Sequence, residues 1–379
     1  MTDKKKIYVT RPALPPLEEF EIYLKQMWET GWLTNNGPFH IELENKLRDF
    51  LQVDHISLFS NGTIALITAL QALDLKGEII TTPYSFVATS HAIKWNGLTP
   101  VFADIDDNTC NLDPRSVEKQ ITQHTSAILP VHVYGIPCDI DALQKIADKY
   151  RLKIIYDAAH AFNVKLQGRS ILNFGDLTVL SFHATKAFHT FEGGAIVSHS
   201  AEQKAKIDFL KNFGFADELT IVGVGINGKM NEVQASMGLL QLKYFNNYVE
   251  QRKQISSMYL KKLNKTPGIR IPIIDKNLDY NYSYFPVFIN SQQFGNTRDG
   301  VYNSLKDNDI YARRYFYPLI SNLPSYRSVV SASPENLPVA NRIADVVLCL
   351  PLYPGLSEQE ISEICEIIQN CYHPNIKNN

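Results

Sequence analysis

Asp157 and Lys186 are the two residues of this chain whose types and settings could do covalent chemistry together. They lie 29 residues apart, in Ile154-Ile155-Tyr156-Asp157-Ala158-Ala159-His160 and Leu180-Ser181-Phe182-His183-Ala184-Thr185-Lys186. Each segment reads as an apolar strand that delivers polar residues at its C-terminal end. That edge is where open parallel sheets bind ligands. A lysine there can form an imine with an aldehyde and then shuttle a proton between two carbons. An aspartate at the neighbouring strand end can pair with a protonated ring nitrogen. Taken singly, Asp157 reads as an N-cap and Lys186 as a surface lysine. Their placement at successive strand ends is what sets the chemical reading beside the bland one.

A third element supplies an anion site. Ser60-Asn61-Gly62-Thr63 stands between a strand-like run and a helical one. A helix N-terminus with free backbone N–H groups holds phosphate, although helix capping alone accounts for Ser or Asn there. Phe86, in Thr82-Pro83-Tyr84-Ser85-Phe86-Val87-Ala88-Thr89, could lie against a cofactor ring or in the core. An imine-forming lysine, a carboxylate for a ring nitrogen and a phosphate anchor are together what pyridoxal phosphate (PLP) needs to act as an electron sink.

The elements that must position these residues follow from hydrophobic periodicity. Helical spacing covers 17–32 and 41–51. Short apolar runs at 56–59, 78–82, 100–103, 127–133, 153–156, 178–182 and 194–198 read as strands, with helices at 63–73 and 142–150 among them. Strands alternating with helices predict an α/β fold with a mostly parallel, seven-stranded sheet flanked by helices. A long helical stretch over 233–259 leads towards a smaller C-terminal α/β domain with a strand at 284–289 and helices at 300–308 and 357–371. The expected division is a large domain over 1–250 and a small one over 251–379.

Bulk properties narrow the function classes. The chain has 379 residues, 45% hydrophobic and 20% charged, with a formal net charge of -2. That balance gives no field for nucleic acid or an anionic membrane, so any anion must be held by a local site. No apolar run approaches the ~18 residues of a spanning helix. Cys110, Cys138, Cys349, Cys365 and Cys371 form no CxxC pair, which suits reduced thiols in a cytoplasm. Neither metal nor nucleic acid nor membrane is expected as a partner.

The chain resembles the DegT/StrS family of sugar-nucleotide aminotransferases, PLP enzymes of fold type I, over nearly its whole length. The resemblance is carried by Trp32-Leu33-Thr34-Asn35-Asn36-Gly37-Pro38, by the block over 60–70, by Asp157-Ala158-Ala159-His160, by Ser181-Phe182-His183-Ala184-Thr185-Lys186 with Glu192-Gly193-Gly194, and by Leu350-Pro351-Leu352-Tyr353-Pro354. It implies Lys186 as the Schiff-base lysine, Asp157 at the pyridine nitrogen, His160 by O3′ and Phe86 on the ring. Gly62, Thr63 and Ser181 would bind the phosphate. Asn227 would reach the phosphate of a partner subunit's cofactor, hence a homodimer with shared active sites. The Ser-Phe-His-Ala-Thr-Lys run looks like members that aminate C-4. The expectation is amino transfer from L-glutamate to C-4 of a dTDP-linked 4-keto-6-deoxyglucose, for surface polysaccharide such as lipopolysaccharide O-antigen. Other GDP-, UDP- or dTDP-linked keto sugars, C-3 amination and elimination chemistry stay open. The family's dehydratases carry histidine where Lys186 stands, which disfavours that branch.

Arg313, Arg314 and Tyr317, in Tyr311-Ala312-Arg313-Arg314-Tyr315-Phe316-Tyr317-Pro318, are the candidate substrate contacts. The two arginines could hold diphosphate or the donor carboxylate, or form a solvated basic pair. Gly223-Val224-Gly225-Ile226-Asn227-Gly228 is literally GxGxxG. A dinucleotide site also needs a second strand ending in an acid about 20 residues on. The sequence there keeps helical spacing, so a glycine-rich turn presenting Asn227 is the better account.

Overall fold

The computed structural model describes residues 6–374. Its main sheet has seven strands: β1 (His55–Phe59), β2 (Glu78–Thr81), β3 (Thr99–Phe102), β4 (Thr125–Leu129), β5 (Lys153–Asp157), β6 (Leu177–Ser181) and β7 (Gly194–Ser198). The spatial order is β1-β7-β6-β5-β4-β2-β3. β7 runs antiparallel to both β1 and β6, and the other neighbours are parallel. Both faces are covered, which is why the strands are apolar throughout rather than alternating. In β5, Ile154 and Tyr156 enter one core while Ile155 enters the opposite one; in β6, Leu180 and Val179 divide the same way.

The helices that position the site are α1 (Leu17–Thr30), α2 (Pro38–Leu51), α3 (Gly62–Ala72), α4 (Ala88–Trp95), α5 (Ile140–Tyr150) and α6 (Ala201–Leu210). Then comes α7, 32 residues from Glu232 to Leu263. Its start is fixed by a capping box, with Asn231 and Gln234 each satisfying the other's backbone N–H. Ala235, Leu239 and Phe245 pack in the core under the main sheet; Ile255, Tyr259 and Leu263 pack in a separate C-terminal core. The boundary expected between 250 and 251 lies inside this helix, which is continuous there.

The C-terminal part has a three-stranded antiparallel sheet, β8 (Ile269–Arg270), β9 (Phe285–Ile289) and β10 (Val347–Leu350), ordered β8-β9-β10. Helices α8 (Arg298–Asp307), α9 (Pro338–Val346) and α10 (Glu358–Asn370) accompany it. It is tied to the main sheet just after β3, where the buried Asp104 carboxylate accepts from the N–H groups of Val339 and Ala340 at the start of α9, at 2.9 and 2.8 Å. Among the described residues, no helix is long and apolar enough to cross a membrane.

One expectation changes, and the reading of the GxGxxG run as a turn holds. The strand foreseen over 127–133 ends at Leu129, because Pro130 offers no N–H to the ladder and Val133–Gly135 turns through a left-handed Tyr134, φ 58°. The GxGxxG segment belongs to an irregular loop between α6 and α7, whose turn is closed by the bridge between Phe215 and Ile221. No strand of the main sheet feeds it, which removes the setting a dinucleotide site requires.

Candidate active site

The C-terminal ends of β5 and β6 open into a cavity of about 640 Å³. Asp157, His160, Ser181, Lys186, Gly62, Thr63 and Phe86 all line it. Seven of the sequence-derived candidates therefore meet in one space. Asn227, Arg313, Arg314 and Tyr317 do not line it.

Asp157 is the last residue of β5 and is buried. Its Oδ2 accepts from Thr89 Oγ1 at 2.8 Å, and its Oδ1 from the Ala159 N–H at 3.1 Å. Burial raises its pKa, while Thr89, the Ala159 N–H and the Lys186 charge act the other way. A buried carboxylate with two donors, and one cation in the same cavity, is built to meet a further N–H. The plain N-cap reading does not describe it.

Lys186 ends the turn after β6, its backbone N–H bonded to the His183 carbonyl at 2.9 Å. Burial brings its pKa down to about 8, partly opposed by Asp157. A solvated surface lysine would not be so shifted. His160 is held far below the ordinary imidazole value by burial, then by the Lys186 charge, so its ring is neutral. The Tyr134 N–H donates to His160 Nδ1 at 3.2 Å. The ring proton is therefore on Nε2, which leaves that nitrogen a donor.

The start of α3 separates capping from anion binding. Asn61 does the capping: its Oδ1 accepts from the Ile64 N–H at 2.9 Å. The N–H groups of Gly62 and Thr63 have no acceptor among the described residues, and neither do the hydroxyls of Thr63 and Ser181 have a partner there. A side chain at 62 is excluded, since a Cβ would lie 2.8 Å from the Ser181 Cβ. Two free N–H groups, two free hydroxyls and a helix N-terminus fit a phosphate. Phe86 is 61% exposed, so its ring is a platform in the cavity rather than a core side chain.

Above this floor stands an aromatic roof that the sequence reading did not single out: Tyr284, Tyr315 and Phe316. Phe316 lies parallel to His160, centroids 5.9 Å apart and planes 4° apart, and Tyr284 meets the same imidazole edge-on at 4.7 Å. Arg313, Arg314 and Tyr317 flank the two roof residues in sequence yet point elsewhere. Arg314 pairs with Asp299 at 2.9 Å and covers the Tyr302 ring at 3.9 Å. Tyr317 is covered by Arg298 at 4.8 Å, and Arg313 is exposed. Thr89 was also missed, one helical turn beyond Phe86 in a segment already marked; a hydroxyl at that spacing was the available signal.

Asn227 is exposed and lies in the loop after α6, bridged to Asn212. The same loop presents Leu219 at 90% and Val224 at 91% exposure.

Known proteins share the fold and much of the sequence of this chain. Residues 17–369 match the model of the DegT/DnrJ/EryC1/StrS aminotransferase family. The chain is 55% identical over 367 residues to a dTDP-4-amino-4,6-dideoxy-D-glucose transaminase of Escherichia coli, covering 96% of this chain and 98% of that one. It is 53% identical to the enzyme of the same name from Shigella dysenteriae, over 97% and 99%. A crystal structure of DesI in the presence of its TDP-sugar product superposes with a TM-score of 0.93 at 36% identity, over 97% of this chain and 93% of that one. With Asp157 at a strand end, Lys186 in the turn after the next strand, both in one cavity, and a match spanning both cores, this chain belongs to the DegT/DnrJ/EryC1/StrS aminotransferase family.

Proposed function

We propose that this aminotransferase moves an amino group from L-glutamate to C-4 of dTDP-4-keto-6-deoxy-D-glucose, giving dTDP-4-amino-4,6-dideoxy-D-glucose, with PLP as its cofactor. The observation that carries the reading is the shared cavity of Lys186, Asp157 and the free N–H groups of α3. The identity to transaminases named for that dTDP-sugar supports the choice of substrate.

In this reading Gly62, Thr63 and Ser181 would hold the phosphate, and the Asp157 carboxylate would accept a hydrogen bond from the pyridine nitrogen. His160 Nε2 would donate to O3′, and Phe86 would lie against the ring. When bound, PLP supplies the electron sink that makes the carbon next to the migrating nitrogen acidic. Lys186 Nζ, neutral once its lowered pKa is passed, would be the group that accepts and returns that proton in each half of the transfer. A base with a pKa near the working pH is suited to giving and taking one proton. The hydrogen bond from Thr89 favours the charged form of Asp157 against the effect of burial, and the aromatic roof would limit water above the reacting atoms.

Arg313, free of a carboxylate partner among the described residues, is the remaining candidate for the substrate diphosphate or the donor carboxylate. Arg314 and Tyr317 would join it only on release from Asp299 and Arg298. Asn227 is assigned to the cavity of a second subunit in a homodimer with shared sites; the exposed aliphatic residues of its loop favour such a contact. The enzyme would work in the cytoplasm, its product serving surface polysaccharide such as O-antigen.

The test is product analysis. The purified protein with PLP, glutamate and dTDP-4-keto-6-deoxyglucose is expected to yield 2-oxoglutarate and a C-4 amine, identified by mass and NMR. Conversion of glutamate without amination of that sugar, but with amination of a GDP- or UDP-linked ketone, would overturn the substrate.

A further inference from the structure

We infer that Tyr84 and Tyr134 are positioning residues that set the Phe316 ring against His160 and so fix the imidazole facing the reacting centre; this rests on the cofactor reading above. Both tyrosines are fully buried and belong to the main-sheet side, Tyr84 beyond β2 and Tyr134 in the turn beyond β4. Their hydroxyl oxygens are 2.6 Å apart, and both converge on one acceptor, the carbonyl of Tyr315. Tyr84 reaches it at 3.0 Å. That carbonyl is in the C-terminal part, directly before Phe316.

The rings repeat the message of the hydroxyls. Tyr84 meets Phe316 edge-on at 5.6 Å, and Tyr134 lies parallel to it, 6.4 Å away with planes 9° apart. Tyr134 also holds His160 directly through its backbone N–H. One residue thus grips the imidazole by its main chain and the opposing ring by its side chain.

The backbone of Tyr134 shows that this placement is enforced. A bulky residue at φ 58° is an outlier that persists only when its surroundings over-determine it. The Tyr280 hydroxyl donates to the Tyr134 carbonyl at 2.7 Å. The next residue must be glycine, because a Cβ at Gly135 would lie 2.7 Å from the His160 carbonyl oxygen.

The hydroxyls are redundant by proton count. They hold two protons between them. Tyr84 can donate to Tyr134, which donates to the carbonyl, or the order can be reversed. Losing either hydroxyl leaves one donor for the carbonyl; losing both leaves a buried carbonyl unpaired, which is the costly case. This gives a signature that loosened packing alone would not produce.

The experiment uses the PLP-loaded enzyme with Tyr84→Phe, Tyr134→Phe and the double variant. Each single variant is expected to lose no more than about threefold in kcat/KM for the keto sugar, and the double about thirtyfold, beyond the product of the two. The pH midpoint of the bound cofactor's visible band is expected to move by about half a unit or more only in the double variant. Effects that multiply, or an unmoved midpoint with a lowered melting temperature, would overturn the inference. If the double variant fails to fold, Phe316→Ala serves instead: it keeps both hydroxyls and their carbonyl and should move the same midpoint, and an unmoved one overturns the inference. A wild-type protein that takes up no PLP would instead remove the cofactor reading on which this rests.

Discussion

The floor and the roof of the cavity are made by opposite means. The floor gathers charge: Asp157 at the end of β5, Lys186 in the turn after β6 and the open end of α3. The roof gathers neutral rings: Tyr284, Tyr315 and Phe316, held by rings and hydroxyls from two parts of the chain. Charge is tuned by burial, so a change of one atom there alters reactivity. Rings act by shape, so changes there alter where the reacting groups stand. Floor lesions should therefore appear in kcat, and roof lesions first in KM and in the cofactor's spectrum.

The sharpest way to break this division is Lys186→Ala. Loss of the proton-carrying amine should lower amino transfer by roughly 10⁴-fold. Borohydride should fix PLP to the wild-type peptide bearing Lys186 and leave that variant unlabelled, as read by peptide mass. Substantial remaining transfer would mean the floor's chemistry lies elsewhere. A finer cut is Thr89→Val, nearly isosteric at a buried position. It removes a hydrogen bond from the Asp157 carboxylate, whose pKa burial already raises. About tenfold loss in kcat with an unchanged KM for glutamate is expected; a change in KM alone would move Thr89 to the substrate-binding side.

The smallest effect is on stability. Lys186 titrates at about 8 in the folded protein against an ordinary 10.5. Between those values the unfolded chain keeps a proton that the folded one has released. Stability of the PLP-free protein should therefore rise as pH climbs from 8 to 10.5, the penalty being fully present below 8. Relative to Lys186→Met, the wild-type melting temperature should gain a few degrees over that window. Parallel profiles would mean the amine is not buried enough to be shifted.

The same contrast explains what the sequence disclosed. Each floor residue sits at the end of its own short motif, so local pattern located Asp157, Lys186 and the Gly62-Thr63 corner. The strand positions were legible because both sheet faces are covered and the runs are continuously apolar. Tyr84, Tyr134 and Phe316 come from segments 50 and 231 residues away from one another's partners, and aromatic residues at such separations are indistinguishable from core in one sequence. Arg313, Arg314 and Tyr317 show the limit on a smaller scale. The right stretch was marked, but which of its eight side chains faces the cavity depends on Arg298 and Asp299 in the first turn of α8. The GxGxxG loop could be dismissed from sequence because its required context was missing.

Helix α7 has a mechanical consequence. At 32 residues it is a spar about 48 Å long, and both cores are bolted to it. Floor and roof are thus carried by one rigid member as well as by their own contacts. Swinging the C-terminal part away from the sheet would require bending that spar or stripping one core from it. The aperture is accordingly set at folding, and adapting it to a different sugar falls to the side chains that line it rather than to a hinge.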